Sequence, residues 1–291
     1  DLPEEERIPL IEKFRKMYET MDFYVLYNRF LKKEGYQTLP RRPLEKRKLR
    51  YEDVYPVLYL KYRLSRQAER SNIKHLVIDE MQDYSRLQYL IIRRMFSCKM
   101  TILGDRAQTM ADQQQDVLQF LPGIFGKDLR RIEMRKSYRN TVEIASYAAN
   151  LIGVTDLELF ERHGMPVLER DVSDLEAALR EAVDTLFPDE KTYETAAVIV
   201  PDEKTAERAY LILREILAEK DFDCGKRLSW LNRDSSSFKK GLTVTTFYLA
   251  KGLEFDQVVS IFPKDEKREM MMQAQYIAAT RALHELRVYH I

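Results

Sequence analysis

The chain has 291 residues, which suits one large domain or two ordinary ones, and its 45% hydrophobic content is ample for a core. Lys plus Arg number 48 against 47 Asp plus Glu, so the net charge of +1 excludes a global basic field; nucleic-acid contact must come from local patches. No apolar run approaches membrane-spanning length, no signal-peptide pattern is present, and Cys98 and Cys224 lack metal-ligand spacing, as expected of a protein in a reduced cytoplasm.

The chain opens Asp1-Leu2-Pro3 with no initiator Met, which suggests a piece of a longer protein. Residues 3–34 read as helical: Leu10, Phe14, Met17 and Met21 recur at helical spacing, and an aromatic-rich stretch follows that suits a core or helix–helix contact. Gly35 and Pro40 punctuate a turn. Arg41-Arg42 and Lys46-Arg47-Lys48-Leu49-Arg50 form the densest basic cluster, either a solvated surface or a phosphate contact. Residues 54–64 predict a helix, with Pro56 near its start. Leu76-Val77-Ile78 then reads as a buried strand that ends in Asp79-Glu80-Met81-Gln82-Asp83. Two adjacent acids at the carboxyl end of a strand can hold Mg²⁺ through water and prepare a water to attack a phosphate. A solvated acidic turn is the other reading. Ser85 is placed to cap a helix over 86–95, and 99–103 is a second strand, closing in Gly104-Asp105-Arg106-Ala107-Gln108.

Pro122, Gly123 and Gly126 mark a break, with a domain boundary near 126. Residues 129–134 predict a strand leading into Lys136-Ser137-Tyr138-Arg139-Asn140. A helix follows over 141–152, with Ile144, Tyr147, Ala148 and Leu151 on its apolar face. Helices over 174–186, 205–217 and 270–283 alternate with strands over 196–200, 242–247, 257–262 and 287–290. This alternation predicts a parallel α/β sheet. Between 217 and 242 there is room only for a loop.

Five stretches, in order, resemble the motor core of superfamily 1 helicases of the UvrD/Rep/PcrA type. Val77-Ile78-Asp79-Glu80-Met81-Gln82-Asp83 resembles a Walker B motif, and Ile102-Leu103-Gly104-Asp105-Arg106-Ala107-Gln108 the family's motif III. Ser137-Tyr138-Arg139-Asn140 resembles part of motif IV. Residues 246–255, with Thr246, Tyr248, Lys251, Gly252, Glu254 and Phe255, resemble motif V, and Tyr276-Ile277-Ala278-Ala279-Thr280-Arg281-Ala282 resembles motif VI. Any one is weak, but five in the right order over 75–282 are not. Residues 1–70 lie outside them.

The resemblance implies a RecA-like P-loop NTPase fold, a parallel sheet flanked by helices behind a helical N-terminal segment. Residues 1–70 would be the helical segment, 71–126 the end of a first RecA-like domain, and 127–291 a second. It also implies ATP and Mg²⁺ as cofactors. Asp79 would hold the metal, Glu80 would position or activate the attacking water, and Gln108 would sense the γ-phosphate. Arg139 and Arg281 would reach the same phosphate, since a guanidinium is always charged and grips phosphate oxygens in a fork. Gly252, Glu254 and Tyr138 would bind the nucleotide, Glu254 at the ribose; Thr246, Tyr248 and Lys251 would touch nucleic acid. Arg281 is expected on a helix, on a solvated face where its loss barely alters folding.

The sequence departs from the family in four ways. No G-x-x-x-x-G-K-[ST] phosphate loop is present: of nine glycines only Gly126 and Gly225 precede a Lys, and Asp128 and Arg227 stand where Ser or Thr is needed. The second domain has no large insertion. Thr109-Met110-Ala111 replaces a base-stacking aromatic, and Tyr248 replaces a His. The compact second domain and Asp83-Tyr84-Ser85 resemble the helicase IV, or HelD-like, branch, with the chain as a C-terminal fragment. The expected function is an ATP-driven helicase or translocase on DNA, single-stranded or at a duplex junction. The alternatives are an ATPase that remodels or releases RNA polymerase, and a non-catalytic binding module.

Overall fold

The computed structural model describes residues 3–16, 20, 22–65, 70, 72–105, 108, 116–126, 129–134, 136–155, 158–186, 193–220, 223–235, 240–264 and 269–291. The expectations for Met17, Met21, Arg106, Ala107, Thr109, Met110 and Ala111 fall outside these residues. Two compact units divide the chain: Asp1–Gly104 with Gln115–Leu129, and Asp105–Gln114 with Arg130–Ile291.

The first unit begins with helices α1 (Glu4–Lys16), α2 (Phe23–Lys33) and α3 (Tyr51–Leu64). Asp22 caps α2 by accepting the Tyr24 and Val25 N–H groups, and Tyr24, Tyr27 and Leu31 line one helix face at helical spacing. They bury with Leu39 against Val57 and Leu60 of α3. Strand β1 (His75–Ile78), helix α4 (Arg86–Met95), strand β2 (Lys99–Ile102) and helix α5 (Val117–Phe125) follow. The strands pair in parallel, His75 against Lys99 through Ile78 against Ile102. Ser85 and Gln88 form a reciprocal capping box on α4. Ile78 packs with Met81, Tyr89, Phe120 and Leu121.

Val77 does not lie in a buried strand as expected: it is 61% exposed. Successive strand residues point to opposite faces, and among the described residues the apolar packing of this two-stranded sheet is on the Ile78 side alone.

The second unit holds a six-stranded sheet. Its strands are β5 (Leu168–Asp171), β6 (Thr195–Val200), β7 (Leu228–Trp230), β8 (Gly241–Thr246), β9 (Phe255–Phe262) and β10 (Ala282–His290), in the order β5-β10-β9-β6-β8-β7. Every pairing is parallel, and helices cover both faces. Helices α7 (Leu175–Val183) and α8 (Glu203–Ala218) pack on one side with Ala196, Val198 and Val200. Helices α6 (Val142–Leu151) and α10 (Glu269–Ala279) pack on the other with Ala197 and Ile199. Burial on both faces is why β6 reads as an unbroken apolar run. The result is the expected RecA-like α/β architecture: a parallel sheet flanked by helices, behind N-terminal helices. Among the described residues no helix is long and apolar enough to cross a membrane.

Several local expectations fail for tertiary reasons. Residues 129–134 form no strand, and Ile132 and Met134 are exposed; pairing is confined to β3 (Lys136–Ser137) with β4 (Glu158–Leu159). The supposed loop between 217 and 242 contains α9 (Cys224–Arg227) and the edge strand β7, which is too short to show a period. Helix α10 stops at Ala279, so Thr280 and Arg281 lie in the turn ahead of β10 rather than on a helix. The cause is sheet pairing: Ala282 is already opposite Phe255.

Candidate functional site

In the first unit the acids follow β1 directly. Glu80 has φ +52°, the one positive value for a non-glycine among the described residues. Such a conformation costs about 1–3 kcal/mol and persists only where the surroundings over-determine it. Here they do. The Asp79 carboxylate accepts the Glu80 N–H at 2.8 Å, Gln82 Nε2 donates to Glu80 Oε2 at 2.5 Å, and Met81 N–H donates to the Leu103 carbonyl at 2.8 Å. Gly104 makes the approach of the two strand ends feasible. A Cβ there would meet Met81 Cγ and Gln82 Oε1 at 2.4 Å and the Met81 nitrogen at 2.7 Å. Asp79 is exposed, with its other carboxylate oxygen available. That donor set fits Mg²⁺, which keeps several waters and takes one or two protein carboxylates rather than a protein cage. Among the described residues no cluster of three or more His, Cys, Asp or Glu side chains is placed to cage a metal.

The other candidate residues belong to the second unit, and two of them stand at the amino ends of adjacent strands. Glu254 and Arg281 each stand one residue ahead of the paired Phe255 and Ala282, and the Phe255 N–H donates to the Arg281 carbonyl at 2.9 Å. Arg139, in the turn before α6, pairs with Glu254 at 2.6 Å, both half-exposed. Arg281 is different: it is 2% exposed. Its Nε donates to the Ile277 carbonyl at 3.2 Å and Nη1 to the Leu253 carbonyl at 3.4 Å. Nη2 donates to Gln108 Oε1 at 3.3 Å and Thr280 Oγ1 at 3.1 Å. The solvated arginine expected from sequence is therefore a buried one, because the turn ahead of β10 directs it into carbonyl groups rather than outward. Lys251 Nζ donates to the Gln108 carbonyl at 3.2 Å, a second tie between Gln108 and the network, here through the 251–254 stretch.

Sequence reasoning missed the residues that position this network. Asn140 Nδ2 donates to the carbonyls of Thr280 and Ala282, at 3.2 and 2.6 Å, and so brackets Arg281 from both sides. Tyr276 Oη donates to Asp105 Oδ2 at 3.0 Å, and Gln108 Nε2 donates to the same oxygen at 3.0 Å. Burial first, then the Asp105 carboxylate, push the Tyr276 phenol well above its ordinary value, so it stays a donor at any physiological pH. Both residues stand inside quoted motifs, but nothing in residue type or spacing distinguishes them from neighbours.

The remaining candidates are more scattered. Tyr138 is exposed, its ring 5.6 Å from that of Phe160, with Lys136 Nζ 5.5 Å from its centroid. Gly252 has φ +80° with open space around it, so glycine is needed there for conformation rather than room. Thr246 and Tyr248 lie at the carboxyl end of β8, across the sheet from Glu254 and Arg281. Thr246 is buried, and its hydroxyl has no hydrogen-bond partner among the described residues. The Arg233 guanidinium lies 5.9 Å from the Tyr248 ring centroid.

Residues 4–110 match the family model described as the UvrD/REP helicase N-terminal domain. No curated protein matches the chain. Among solved structures, the chain is similar to the C-terminal domain of a possible DNA helicase from Lactobacillus plantarum WCFS1, at 24% identity and a TM-score of 0.41, covering 53% of this chain and 88% of that one. It is also similar to PRRSV helicase, at 17% identity and a TM-score of 0.42, covering 76% of this chain and 36% of that one. Arterivirus nonstructural protein 10 (helicase) in complex with DNA is similar at 13% identity and a TM-score of 0.38, covering 77% of this chain and 41% of that one. At such scores these likenesses carry no functional argument. The family match overturns the expectation of a C-terminal fragment of the helicase IV, or HelD-like, branch. It is to an N-terminal domain, and it reaches back across the helical segment that the motifs had left out. The Asp83-Tyr84-Ser85 stretch has a local explanation instead, since Ser85 is the cap of α4. What stands is the fold, a parallel sheet flanked by helices, and the match of residues 4–110 to that family model.

Proposed function

We propose that the chain forms the nucleotide-responsive part of an ATP-driven motor that moves on nucleic acid. The observation that supports this reading most is the convergence of Gln108, Arg139, Lys251, Leu253, Glu254 and Arg281. They come from four separate stretches and join at the amino ends of β9 and β10. Asp79 would hold Mg²⁺ through water, and Glu80, its backbone locked, would orient the attacking water. Mg-ATP, when bound, supplies the phosphoryl bond whose cleavage releases free energy. Arg139 would exchange Glu254 for phosphate oxygens at little cost, because a half-exposed ion pair contributes only about 0–1 kcal/mol. Arg281 is held in place by carbonyls, so its charge is preorganised, and the amide of Gln108 would be the contact it gives up. Glu254, released from Arg139, would be available to a ribose hydroxyl. The G-x-x-x-x-G-K-[ST] motif that forms the usual phosphate cradle does not occur in these 291 residues.

Side-chain and amide NMR of the chain, titrated with millimolar Mg-ADP and Mg-ATP, tests this. Weak binding is expected, because the cradle motif is absent. The signals of Arg281 Nε–H, the Gln108 amide and the Gly252 and Glu254 amides should shift, more with ATP than ADP. No shift at these groups at saturation, or shifts confined elsewhere, would remove the nucleotide from this site.

A further inference from the structure

The irregular ribbon over residues 39–50 carries six cations, Arg41, Arg42, Lys46, Arg47, Lys48 and Arg50, against one acid, Glu45. It contains a single helical turn at Leu44–Lys46, yet it is pinned along its length. Asn28 holds Leu39 through two bonds, at 2.6 and 3.2 Å, and the Tyr24 hydroxyl donates to the Pro40 carbonyl at 2.7 Å. Arg47 Nε donates to the Arg42 carbonyl at 3.0 Å, its Nη1 pairs with Asp22 at 2.8 Å, and its guanidinium lies 4.8 Å from the Tyr24 ring centroid. Arg50 Nε meets Asp53 at 2.8 Å, and buried Asp53 in turn accepts the Tyr27 hydroxyl at 2.8 Å. Two cations are thus consumed in fixing the ribbon to α2 and α3. The other four, Arg41, Arg42, Lys46 and Lys48, are exposed and have no ion-pair partner among the described residues. Aromatic side chains flank them in sequence, Tyr36 at 65% exposure and Tyr51 at 77%.

We infer that this ribbon is a docking surface for single-stranded nucleic acid. Four cations on a pre-ordered backbone match a run of phosphates without the ordering cost a flexible basic loop would bear. Exposed tyrosines favour a single strand, because only unpaired bases offer their faces for stacking. The inference takes its class of partner from the motor reading, but its test needs no nucleotide. Failure here leaves the nucleotide site standing, and failure there leaves the ribbon standing.

The test is fluorescence anisotropy of the 291-residue chain with labelled oligothymidine of about 20 nucleotides, without nucleotide, across a salt series. Four phosphate contacts on a single strand predict a log–log salt slope of about −3, a loss of roughly 50-fold in affinity between 50 and 200 mM salt. Arg41→Ser with Arg42→Ser should make the slope shallower by about 1.4, and adding Lys46→Ser and Lys48→Ser should bring it close to zero. Lys74→Ser with Lys99→Ser removes the same charge from exposed positions elsewhere in the first unit and should leave the slope unchanged. Tyr51→Ala should weaken oligothymidine binding roughly 5- to 100-fold and leave duplex binding alone. A fourfold variant that keeps the wild-type slope, or wild-type chain that does not bind at 50 mM salt, would overturn the surface. Duplex bound more tightly than the single strand, or polyglutamate competing as well as oligothymidine, would overturn the assigned partner. Circular dichroism of each variant keeps a folding defect separate from a binding one.

Discussion

Strands β1 and β6 are both short apolar runs rich in β-branched residues, and they end up in different surroundings. Val77 of β1 is 61% exposed, while Val198 of β6 is 0% exposed. Helices lie on both faces of the six-stranded sheet, whereas the apolar packing of the described two-stranded one lies on a single side. The same contrast separates the candidate chemistry. In the first unit, Glu80 is held by strand-end hydrogen bonds beside a thin core, and its strain is met locally. In the second, Arg281 is fixed by a core that any change at the site must disturb. Burial of a strand, or of a charge, belongs to what covers it rather than to the residues that compose it.

The largest break in that comparison is expected from its arginines. Arg281→Ala should destabilise the second unit by about 3–5 kcal/mol, because each buried oxygen left without its donor costs about 1–3 kcal/mol and the lost side chain leaves a cavity. Arg139→Ala should cost at most about 1 kcal/mol, since its partner Glu254 is half-exposed. Urea unfolding followed through Trp230, the chain's single tryptophan and a residue of the second unit, reads both. Equal, small losses would mean that Arg281 is not held as the geometry has it.

The strands give the next contrast. Val198→Ala should lose about 2 kcal/mol through two buried methyl groups and the cavity they leave. Val77→Ala should stay within about 0.5 kcal/mol, as for an exposed site. Hydrogen exchange along β1, beside the Trp230 transition, would show whether the exposed face behaves as exposed.

A smaller effect, about 1–2 kcal/mol, is expected for Gly104→Ala, where the added Cβ runs into the Met81 backbone as well as its side chain. Amide exchange should speed up at Met81 and Leu103, while the Trp230 transition stays where it was. Unchanged exchange at those amides would mean that the turn relaxes freely and that Glu80 is less constrained than its surroundings imply.

The smallest expected effect concerns pH. The His163 side chain, then the Gly164 N–H, hold the Glu143 carboxyl down to about 2, against an ordinary 4.5. A folded value below the unfolded one means that the stabilisation is complete above the ordinary value and is lost as pH falls towards 2. Glu143→Gln should therefore be less stable than wild type near neutral pH, with the difference closing between pH 4.5 and 2. A difference that stays constant over that window would assign the loss to packing instead.

Much of this was legible in the sequence because it depends on neighbours along the chain. The capping box at Ser85, the span of α4, the helix after Thr141 and the strands at β6, β8 and β9 follow from residue type and period. The residues that meet in the second unit, Gln108, Arg139, Lys251, Glu254 and Arg281, were candidates through the ordered resemblance to family motifs, not through residue type or period. What they meet was not legible. Arg139 finds Glu254, 115 positions further on in the numbering, and Arg281 finds Gln108, 173 positions back.

The sequence by itself determined the alternation of helices and strands, and with it a parallel α/β sheet, because period and capping are local properties of the chain. Only the tertiary structure decided that Val77 is open while Val198 is closed, and that Arg281 is a buried anchor rather than a solvated side chain. It also decided that Arg47 and Arg50 fasten the basic ribbon that Arg41, Arg42, Lys46 and Lys48 present. Each of these depends on desolvation and on partners supplied by distant segments, and one stretch of residues carries no information about what will be packed against it.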